Sequence, residues 1–400
     1  MITNIYFGLL RFAALCGHEK AGKLVEGERK AMSHIASKLD SDAHYIWIHA
    51  ASVGEFEQGR PIIERLKQER PELKILLTFF SPSGYEMRKD YPLADIVAYL
   101  PFATMKKARA FLDLVKPELA IFIKYEFWPA YLHELHKRQI PTYIIAAIFR
   151  RSQTFFKWYG RHYRKNLHLF THLFVQNEKS RDLLARFHIN NVTVCGDPRF
   201  DRVTAIARKA QQIPQIEQFV NGQPTLVVGS SWQPDEELIF RWHAEHPEIK
   251  LILVPHEIHQ GRLHSIFQGL QGRFIRYTEA TPSNLDSCNC MVVDAMGLLS
   301  SIYRYATVAY IGGGFGVGIH NTLEAATFGV PVVFGPHYDH FREARQLVKF
   351  KGGFSIKNYK ELDRVLQQLF DNPKESGAIA GNYVRQNLGA TDTIFNMLFK

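Results

Sequence analysis

The sequence predicts an α/β protein built from two units, each a parallel sheet covered by helices on both faces. Short apolar runs alternate with amphipathic stretches from Tyr45 onwards, and the pattern begins again at Thr225 after a polar stretch. Continuous runs of Val, Ile, Leu and Phe are typical of strands buried on both faces. A chain of 400 residues also exceeds what one core usually serves. We therefore expect a first domain at residues 1–205, a linker at 206–222 and a second domain at 223–400.

The strands and helices can be assigned in order along the chain. The expected strands of the first unit are Tyr45–Ala50, Lys74–Phe80, Ile96–Leu100, Leu119–Ile123, Thr142–Ile148, His172–Gln176 and Val192–Gly196. Those of the second unit are Thr225–Ser230, Leu251–Pro255, Met291–Val293, Val308–Gly313 and Val330–Gly335. Stretches such as Pro61–Gln68, Met105–Val115 and Pro129–Arg138 predict helices between them. Because ligands of such sheets bind beyond the carboxyl ends of the strands, the turns that follow the strands are the informative places.

Composition narrows the classes of partner. A formal net charge of +10 favours nucleic acid, anionic lipid or phosphorylated substrates. Four scattered cysteines favour free thiols in a reducing compartment. The apolar run Ile5–Cys16 is too short to span a bilayer, so it predicts either a helix lying on a membrane surface or an ordinary docking helix.

Two further patterns concern nucleic acid and metals. The run Phe149–Lys165 interleaves aromatic and basic residues, which suits nucleic-acid stacking, a membrane interface, or an amphipathic helix whose aromatic side chains pack inward. H-x-x-H pairs occur, but none has the H-E-x-x-H pattern and each would need a third ligand. We expect no metal site. The pairs include His133/His136, His256/His259 and His337/His340.

Two glutamates follow strands of the first unit. Glu55 comes after a strand and Ser-Val-Gly, which predicts a carboxylate at the mouth of the sheet near a helix start. Glu126 stands beside Lys124 and before Phe-Trp-Pro, where partial burial is expected. Two carboxylates at neighbouring sheet mouths suit a general base and a second electrostatic role. The structural alternative for Glu55 is a first-turn glutamate favoured by the helix dipole.

A glycine run in the second unit, Gly312–Gly318, separates an apolar strand from a helix expected to open at Asn321. It fits neither the dinucleotide fingerprint, which needs a glycine where Val317 stands, nor the P-loop, which needs a lysine where Ile319 stands. Asn321 and Glu324 suit a capping box. Glu324 equally suits the hydroxyls of a ribose whose phosphate lies at the same helix end.

Eight motifs, in order and over most of the chain, together resemble the Kdo (3-deoxy-D-manno-octulosonic acid) transferases of lipopolysaccharide synthesis. They are Ile48–Glu55, Phe79–Glu86, Lys124–Pro129, Gly196–Asp201, Val228–Trp232, Asp294–Leu299, Gly318–Ala326 and Phe334–Phe341. The resemblance implies a GT-B glycosyltransferase fold: two Rossmann-like domains facing across a cleft, with the acceptor on the N-terminal side and CMP-Kdo on the C-terminal side.

The resemblance also implies substrates and a location. The acceptor is a lipid A precursor (lipid IVA), and the donor CMP-Kdo is the small-molecule partner, with no metal and no other cofactor. The expected location is the cytoplasmic side of the inner membrane, as a peripheral or monotopic protein on an anionic surface. No nucleic-acid partner is expected. Two alternatives stay open: another GT-B enzyme, either a UDP-sugar transferase or an epimerase, or a basic module that binds RNA or membrane.

The family pattern assigns roles residue by residue. Glu55 matches the base that deprotonates the acceptor hydroxyl, and Glu126 and Arg199 match residues that assist the transition state. The expected nucleotide contacts are Pro255, His256, Met296, Gly297, Leu298, Asn321, Thr322, Leu323 and Glu324. The chain departs from the family at several of its motifs. His256 and Arg199 stand where the family commonly has Arg and Lys, Leu298 replaces a Glu, and His340 replaces an Asn.

Overall fold

The structure is a computed structural model that describes residues 2–270, 272–316 and 318–400. Val317, counted above in the glycine run, lies outside these ranges. Within them the chain forms two seven-stranded sheets in which every strand pairing is parallel. The α/β class and the two parallel sheets are therefore confirmed.

The first sheet has the strand order β3-β2-β1-β4-β5-β6-β7. Its strands are β1 (Tyr45–Ala50), β2 (Lys74–Phe79), β3 (Ile96–Tyr99), β4 (Leu119–Ile123), β5 (Thr142–Ala147), β6 (His172–Val175) and β7 (Val192–Val194). The second sheet has the order β10-β11-β9-β8-β12-β13-β14. Its strands are β8 (Thr225–Ser231), β9 (Lys250–Pro255), β10 (Phe274–Arg276), β11 (Cys290–Val292), β12 (Val308–Ile311), β13 (Val332–Phe334) and β14 (Gly353–Ser355). The strand order reverses between β1 and β4 in the first sheet and between β8 and β12 in the second.

Helices connect the strands. In the first unit they are α1 (Ile2–Leu15), α2 (Glu19–Lys38), α3 (Val53–Glu69), α4 (Pro82–Arg88), α5 (Met105–Val115), α6 (Pro129–Lys137), α7 (Arg161–Arg164) and α8 (Glu178–Ala185). Then follow α9 (Pro198–Lys209), α10 (Pro214–Val220), α11 (Gln233–Glu245), α12 (Gln260–Gly269), α13 (Leu299–Ile302), α14 (Leu323–Ala326), α15 (Arg342–Phe350), α16 (Tyr359–Asp371), α17 (Pro373–Gln386) and α18 (Ala390–Phe399). All the predicted strands are present, with bounds that move by no more than two residues.

Strand β1 shows why the continuous apolar pattern gives a sheet buried on both faces. All six of its residues are buried. Trp47 points into a core on one face, where its ring lies 4.8 Å from that of Phe111. Ile46 and Ile48 point into a separate core on the other face. Successive side chains of a strand alternate between faces, so a largely apolar run supplies both cores.

The chain divides into units at places that differ from the predicted boundaries. The first unit comprises Met1–Asp201 and Leu388–Lys400, and the second comprises Arg202–Asn387. The expected linker, 206–222, is occupied largely by α9 and α10. The last helix, α18, belongs to the first unit because Ile394 and Phe395 are buried in its core.

Asp201 fixes the beginning of α18. Its carboxylate accepts backbone N–H groups of Gly389 and Thr391, each at 2.7 Å. An anionic side chain is favoured at a helix N-terminus, where it satisfies donors that lack intrahelical partners. The composition of residues 206–222 did not reveal this connection, because it depends on a contact between positions far apart in the sequence.

Two segments of the first unit have large apolar side chains exposed at the surface. Helix α1 exposes Leu9, Phe12 and Leu15, with Leu15 86% exposed. The Phe149–Lys165 run is not one amphipathic helix but short turns of 3-10 helix and the one-turn α7. Phe155 and Phe156 pack against the core, whereas Trp158 is 91% exposed. No helix in the described ranges combines the length and the apolar character needed to cross a bilayer.

Candidate functional site

The predicted catalytic residues of the first unit lie at the carboxyl edge of its sheet. Glu55 is in the first turn of α3, which begins at Val53 directly after β1. Glu126 follows β4, the neighbouring strand at which the order reverses. In open α/β sheets this reversal leaves a crevice beyond the strand ends, which is where ligands bind. The sequence therefore placed both carboxylates at the correct edge.

Glu55 is held from two sides. The Ser52 hydroxyl donates a short hydrogen bond to its carboxylate, and Lys124 Nζ lies 3.8 Å from Oε1. Ser52 occupies the N-cap position of α3 but its side chain makes no hydrogen bond to the helix backbone. The hydroxyl instead positions the glutamate, which remains 18% exposed and therefore open to a substrate.

Glu126 is buried more deeply, with 8% of its surface exposed. The indole N–H of Trp128 donates to Oε2 at 2.6 Å, and His49 Nε2 lies 3.0 Å from the same oxygen. His49 is completely buried within β1. The partial burial expected for Glu126 is confirmed, whereas its histidine partner was not anticipated.

His49 is contacted at both ring nitrogens. Its Nδ1 is 3.1 Å from the carbonyl oxygen of Thr78 and 2.9 Å from the Thr78 hydroxyl. That hydroxyl also accepts the indole N–H of Trp47 at 2.8 Å. The indole N–H of Trp128 points to His49 Nε2 at 3.1 Å as well as to Glu126. His49, Glu126 and Trp128 therefore form one cluster of polar contacts.

Arg199 is not an isolated cation. Its guanidinium contacts the buried Asp197 through Nε at 3.1 Å and through a terminal nitrogen at 2.9 Å. Burial alone would raise the pKa of Asp197, but Arg199, with a further contribution from Lys124, brings that pKa below its ordinary value. Gln58 and Gln176 also donate to this carboxylate, at 3.0 and 3.3 Å. The predicted cation therefore acts as one member of an ion pair.

The backbone is strained at this edge. Lys124, directly after β4, has φ +66°, and Ala146, near the end of β5, has φ +53°. Residues other than glycine adopt this left-handed region at a cost, and such positions concentrate at functional sites. For Lys124 the turn directs the side chain between Glu55 and Asp197. Lys124 thus links the residues predicted as base and as cation.

In the second unit, three rings stack at the carboxyl edge. His256, which follows β9, lies with its ring 4.6 Å from Trp232 and 4.5 Å from His320. Trp232 follows β8 and its indole N–H points to His320 Nε2 at 3.2 Å. Burial, with a smaller contribution from His256, lowers the pKa of His320 to about 4. His320 is therefore neutral at physiological pH, and it lies next to Asn321.

Backbone hydrogen bonds hold several residues of the glycine run in place. The backbone N–H groups of Gly312, Gly316 and Gly318 donate to carbonyl oxygens, and that of Gly313 donates to buried Asp235 at 2.9 Å. A Cβ on Gly314 would lie 2.6 Å from the backbone of Gly335 in the loop after β13. Close backbone contact therefore explains why position 314 is glycine.

The predicted capping box takes a different form. Helix α14 begins at Leu323, not Asn321, and is a single turn with Thr322 at the N-cap. The Asn321 amide oxygen accepts the backbone N–H of Leu323 at 3.1 Å, as a capping residue does. Its amide nitrogen donates to Glu324 Oε1 at 3.0 Å, so the two predicted capping residues contact each other through their side chains. The dipole of so short a helix adds little.

The remaining predicted contacts lie in the loop after β11. Met296 is 76% exposed, Gly297 has φ +83°, and Leu298 directly precedes α13. Asp294 anchors the loop through Thr278 and Arg276, with oxygen–nitrogen distances of 3.0 and 2.8 Å. Burial alone would raise the pKa of Asp294, but these donors lower it below its ordinary value. The predicted nucleotide contacts thus lie at the carboxyl end of β9 or in the segments after β9, β11 and β12, at the same edge of the sheet.

Sequence reasoning missed His49, Thr78, Asp197 and Asp235 as members of the two sites. The first two lie inside strands, where a polar residue in an apolar run was the available signal. Asp197 stands two residues before Arg199, a spacing that allows an ion pair. In the described ranges, no three His, Cys, Asp or Glu side chains approach as metal ligands would.

The amino-acid sequence is similar to those of known proteins. The sequence model of a family described as 3-deoxy-D-manno-octulosonic-acid transferase (kdotransferase) matches residues 25–202. The enzyme of that name from Haemophilus influenzae is 29% identical over 375 residues, which cover 88% of this chain and 86% of its own. The one from Aquifex aeolicus is 28% identical over 337 residues, covering 82% and 87%. The chain is similar to Kdo transferases over most of its length. These relatives identify it as an enzyme of the glycosyltransferase class.

Solved structures agree on the fold. A UDP-GlcNAc 2-epimerase from Neisseria meningitidis is similar with a TM-score of 0.58 and 15% identity, covering 88% of this chain and 99% of that one. MurG from Acinetobacter baumannii is similar with a TM-score of 0.53 and 13% identity, covering 89% and 99%. With the two parallel sheets, these similarities confirm the GT-B fold. At such identities they carry no information about substrates.

The contact between His49 Nε2 and Glu126 Oε2 leads to a prediction for stability. In His49→Gln the amide nitrogen reaches about as far as Nε2 and donates to Glu126, whereas in His49→Asn it ends near Nδ1. The asparagine variant lacks this contact to a buried carboxylate, so its free energy of unfolding should be lower than that of the glutamine variant by about 1–3 kcal/mol. Urea unfolding measures both, and equal stabilities would show that the contact does not stabilise the fold.

Proposed function

We propose that the protein transfers Kdo from CMP-Kdo to a hydroxyl group of a lipid A precursor (lipid IVA). The observation that carries the proposal is the placement of Glu55 at the reversal point of the first sheet, positioned by Ser52 and Lys124 and still exposed. Similarity to the Kdo transferases supports the substrate class. The proposed reaction needs the donor and the acceptor and no further cofactor.

In the proposed step Glu55 accepts the proton of the acceptor hydroxyl as its oxygen attacks the anomeric carbon of Kdo. The new C–O bond forms as the bond from that carbon to the CMP phosphate oxygen breaks, so CMP leaves with the bonding electrons and the configuration inverts. Lys124 Nζ lies 3.8 Å from Glu55 Oε1 and helps to hold the carboxylate in place. Proton transfer by a positioned base typically contributes 10²–10⁴-fold to a rate.

Glu126 and Arg199 would assist through defined geometry. Glu126 has Oε2 fixed by Trp128 and His49, which leaves it no freedom to rotate. Arg199 is paired with Asp197, so it contributes oriented donors with little net charge. Preorganised groups of this kind stabilise developing charge because they need not reorganise during the reaction.

The second unit supplies the proposed CMP-Kdo site. His256 presents an exposed ring beyond β9, stacked on the neutral His320 next to Asn321. Thr322 Oγ1 is buried, and among the described residues it has no hydrogen-bond partner. A buried hydroxyl of this kind is satisfied when a ligand or water arrives. Together with Glu324 it provides polar groups for a nucleotide at this edge.

The proposed location is the cytoplasmic side of the inner membrane. Leu9, Phe12 and Leu15 expose apolar surface on α1, and Arg11 lies among them. Apolar side chains beside a cation suit a helix lying in the headgroup region of an anionic bilayer.

A second candidate keeps the fold and changes the donor to a UDP-sugar. Calorimetry with CMP and with UDP distinguishes the two, since the proposal requires tighter binding of CMP.

A basic module that binds RNA is disfavoured by the carboxylates at the sheet edge. RNA binding that falls steeply with salt, without binding of CMP, would favour it.

Replacing Glu55 by Gln should reduce Kdo transfer to lipid IVA by about 10²–10⁴-fold, because the amide cannot accept the hydroxyl proton. Binding of CMP should not change. Glu57→Gln is the matched control, since Glu57 lies in the same helix and pairs with Arg88 at 2.9 Å. Transfer is followed by mass spectrometry of the acceptor. Near-wild-type turnover of Glu55→Gln would remove Glu55 from the mechanism.

Replacing Glu324 by Ala should weaken CMP binding about tenfold, because hydrogen bonds to an ionised group contribute about 1.5–3 kcal/mol. Glu361→Ala is the control for capping, since Glu361 accepts the backbone N–H of Lys357 at the start of α16. That variant should lose stability and keep its CMP affinity, as measured by calorimetry. If Glu324→Ala behaves in the same way, Glu324 has only a capping role.

Replacing both Phe12 and Leu15 by Ser should weaken binding to lipid vesicles by more than about tenfold, since each fully buried apolar side chain contributes about 1.5–3 kcal/mol. Met87→Ser, which removes an apolar side chain 61% exposed on α4, should leave binding unchanged. Sedimentation with vesicles measures the bound fraction. Equal binding by all three proteins would show that α1 does not contact the membrane.

A further inference from the structure

The first unit contains a basic pocket with no role in the steps above. It is a cavity of about 430 Å³ between the segment after β5 and helix α8. Four cationic side chains line it: Arg150, Arg151, Lys179 and Arg186. Phe149 and Leu183 form an apolar floor and are 4% and 8% exposed.

The charge of the basic pocket is not balanced by the protein. Asp182 is the single carboxylate on its lining, against four cations. In the part of the chain that the structure describes, Arg150, Arg151, Lys179 and Arg186 form no ion pair. Like charges gathered around one cavity repel one another, and an anion bound between them relieves that repulsion.

Another cation of α8, Arg181, does form ion pairs. Arg181 lies two residues after Lys179 and contacts Glu178 at 2.5 Å and Asp182 at 3.4 Å. Lys179 occupies the first turn of α8, where the helix dipole disfavours a positive charge. The charge of Lys179 therefore does not stabilise α8, whereas Arg181 forms ion pairs within it.

The basic pocket lies close to the carboxyl edge that holds the candidate catalytic residues. The ring of Phe149 packs 5.9 Å from that of Phe127, which directly follows Glu126 in sequence. Arg150 is near enough to Tyr125 to oppose the rise in the pKa of Tyr125 that burial causes. A ligand that reached Glu55 from this side could therefore extend into the pocket.

We propose that the basic pocket binds a phosphate group, either on the acceptor sugar or on the headgroup of an anionic lipid. Several cationic side chains match the charge and the acceptor oxygens of a phosphate. The apolar floor suits the uncharged carbon skeleton that carries it. The acceptor source rests on the proposed function, whereas the lipid source is independent of it.

The test uses two probes that need neither CMP-Kdo nor transfer. Calorimetry with glucosamine 1-phosphate, a soluble phosphosugar, reports the first source. Sedimentation with phosphatidylcholine vesicles, with and without phosphatidylglycerol, reports the second. The variants are Lys179→Ala and Arg186→Ala, and Arg181→Ala is the matched control because it removes one charge from the same helix. Thermal unfolding confirms that each variant is folded.

Lys179→Ala and Arg186→Ala should each weaken binding of at least one probe about tenfold at low salt, and Arg181→Ala should not. The probe that is weakened identifies the source of the phosphate. The proposal is overturned if wild type binds neither probe, or if the control loses as much affinity as the two pocket variants. A protein that binds a probe through this pocket but does not transfer Kdo would refute the proposed function alone.

Discussion

Burial of both faces of a parallel sheet leaves polar side chains few places other than the ends of the strands. In both units the strands all run in the same direction, so their carboxyl ends meet at one edge. The turns that follow β1 and β4 carry Glu55 and Glu126, and those that follow β8 and β12 carry Trp232 and the glycine run. The position of each site is therefore a consequence of strand direction, and the chemistry depends on which residues occupy the turns.

Each main residue of the first site is held in position by neighbouring side chains. Glu55 is positioned by a hydroxyl and an ammonium group, Glu126 by an imidazole and an indole, and Arg199 by a buried carboxylate. All of these contacts lie within the first unit, either inside one turn or between a turn and a neighbouring element. A site of this kind is rigid because its members are already hydrogen-bonded before any ligand arrives, which is the condition for electrostatic stabilisation without reorganisation.

The sequence was sufficient for the fold and for the location of the candidate residues. Long apolar runs identified the strands, whereas β10 and β14 were missed because three-residue edge strands such as Phe274–Arg276 carry too weak a pattern. The contacts between the residues of the first site could not be derived in the same way. The pair of Asp197 and Arg199 is local and left a signal in the spacing. The contact of His49 with Glu126 instead joins a residue of β1 to the segment after the neighbouring strand β4, and only the pairing of these strands brings the two together.

The return of α18 to the first unit has a consequence for how the protein is made. The second unit is one continuous segment, Arg202–Asn387, whereas the first requires both ends of the chain. During synthesis the ribosome therefore completes the whole second unit before it supplies Ile394 and Phe395 to the first core. Until then the surface of α3 that receives α18 stays uncovered. The unit that begins to form first is the last to be completed, and it is this unit that a shortened C-terminus would damage.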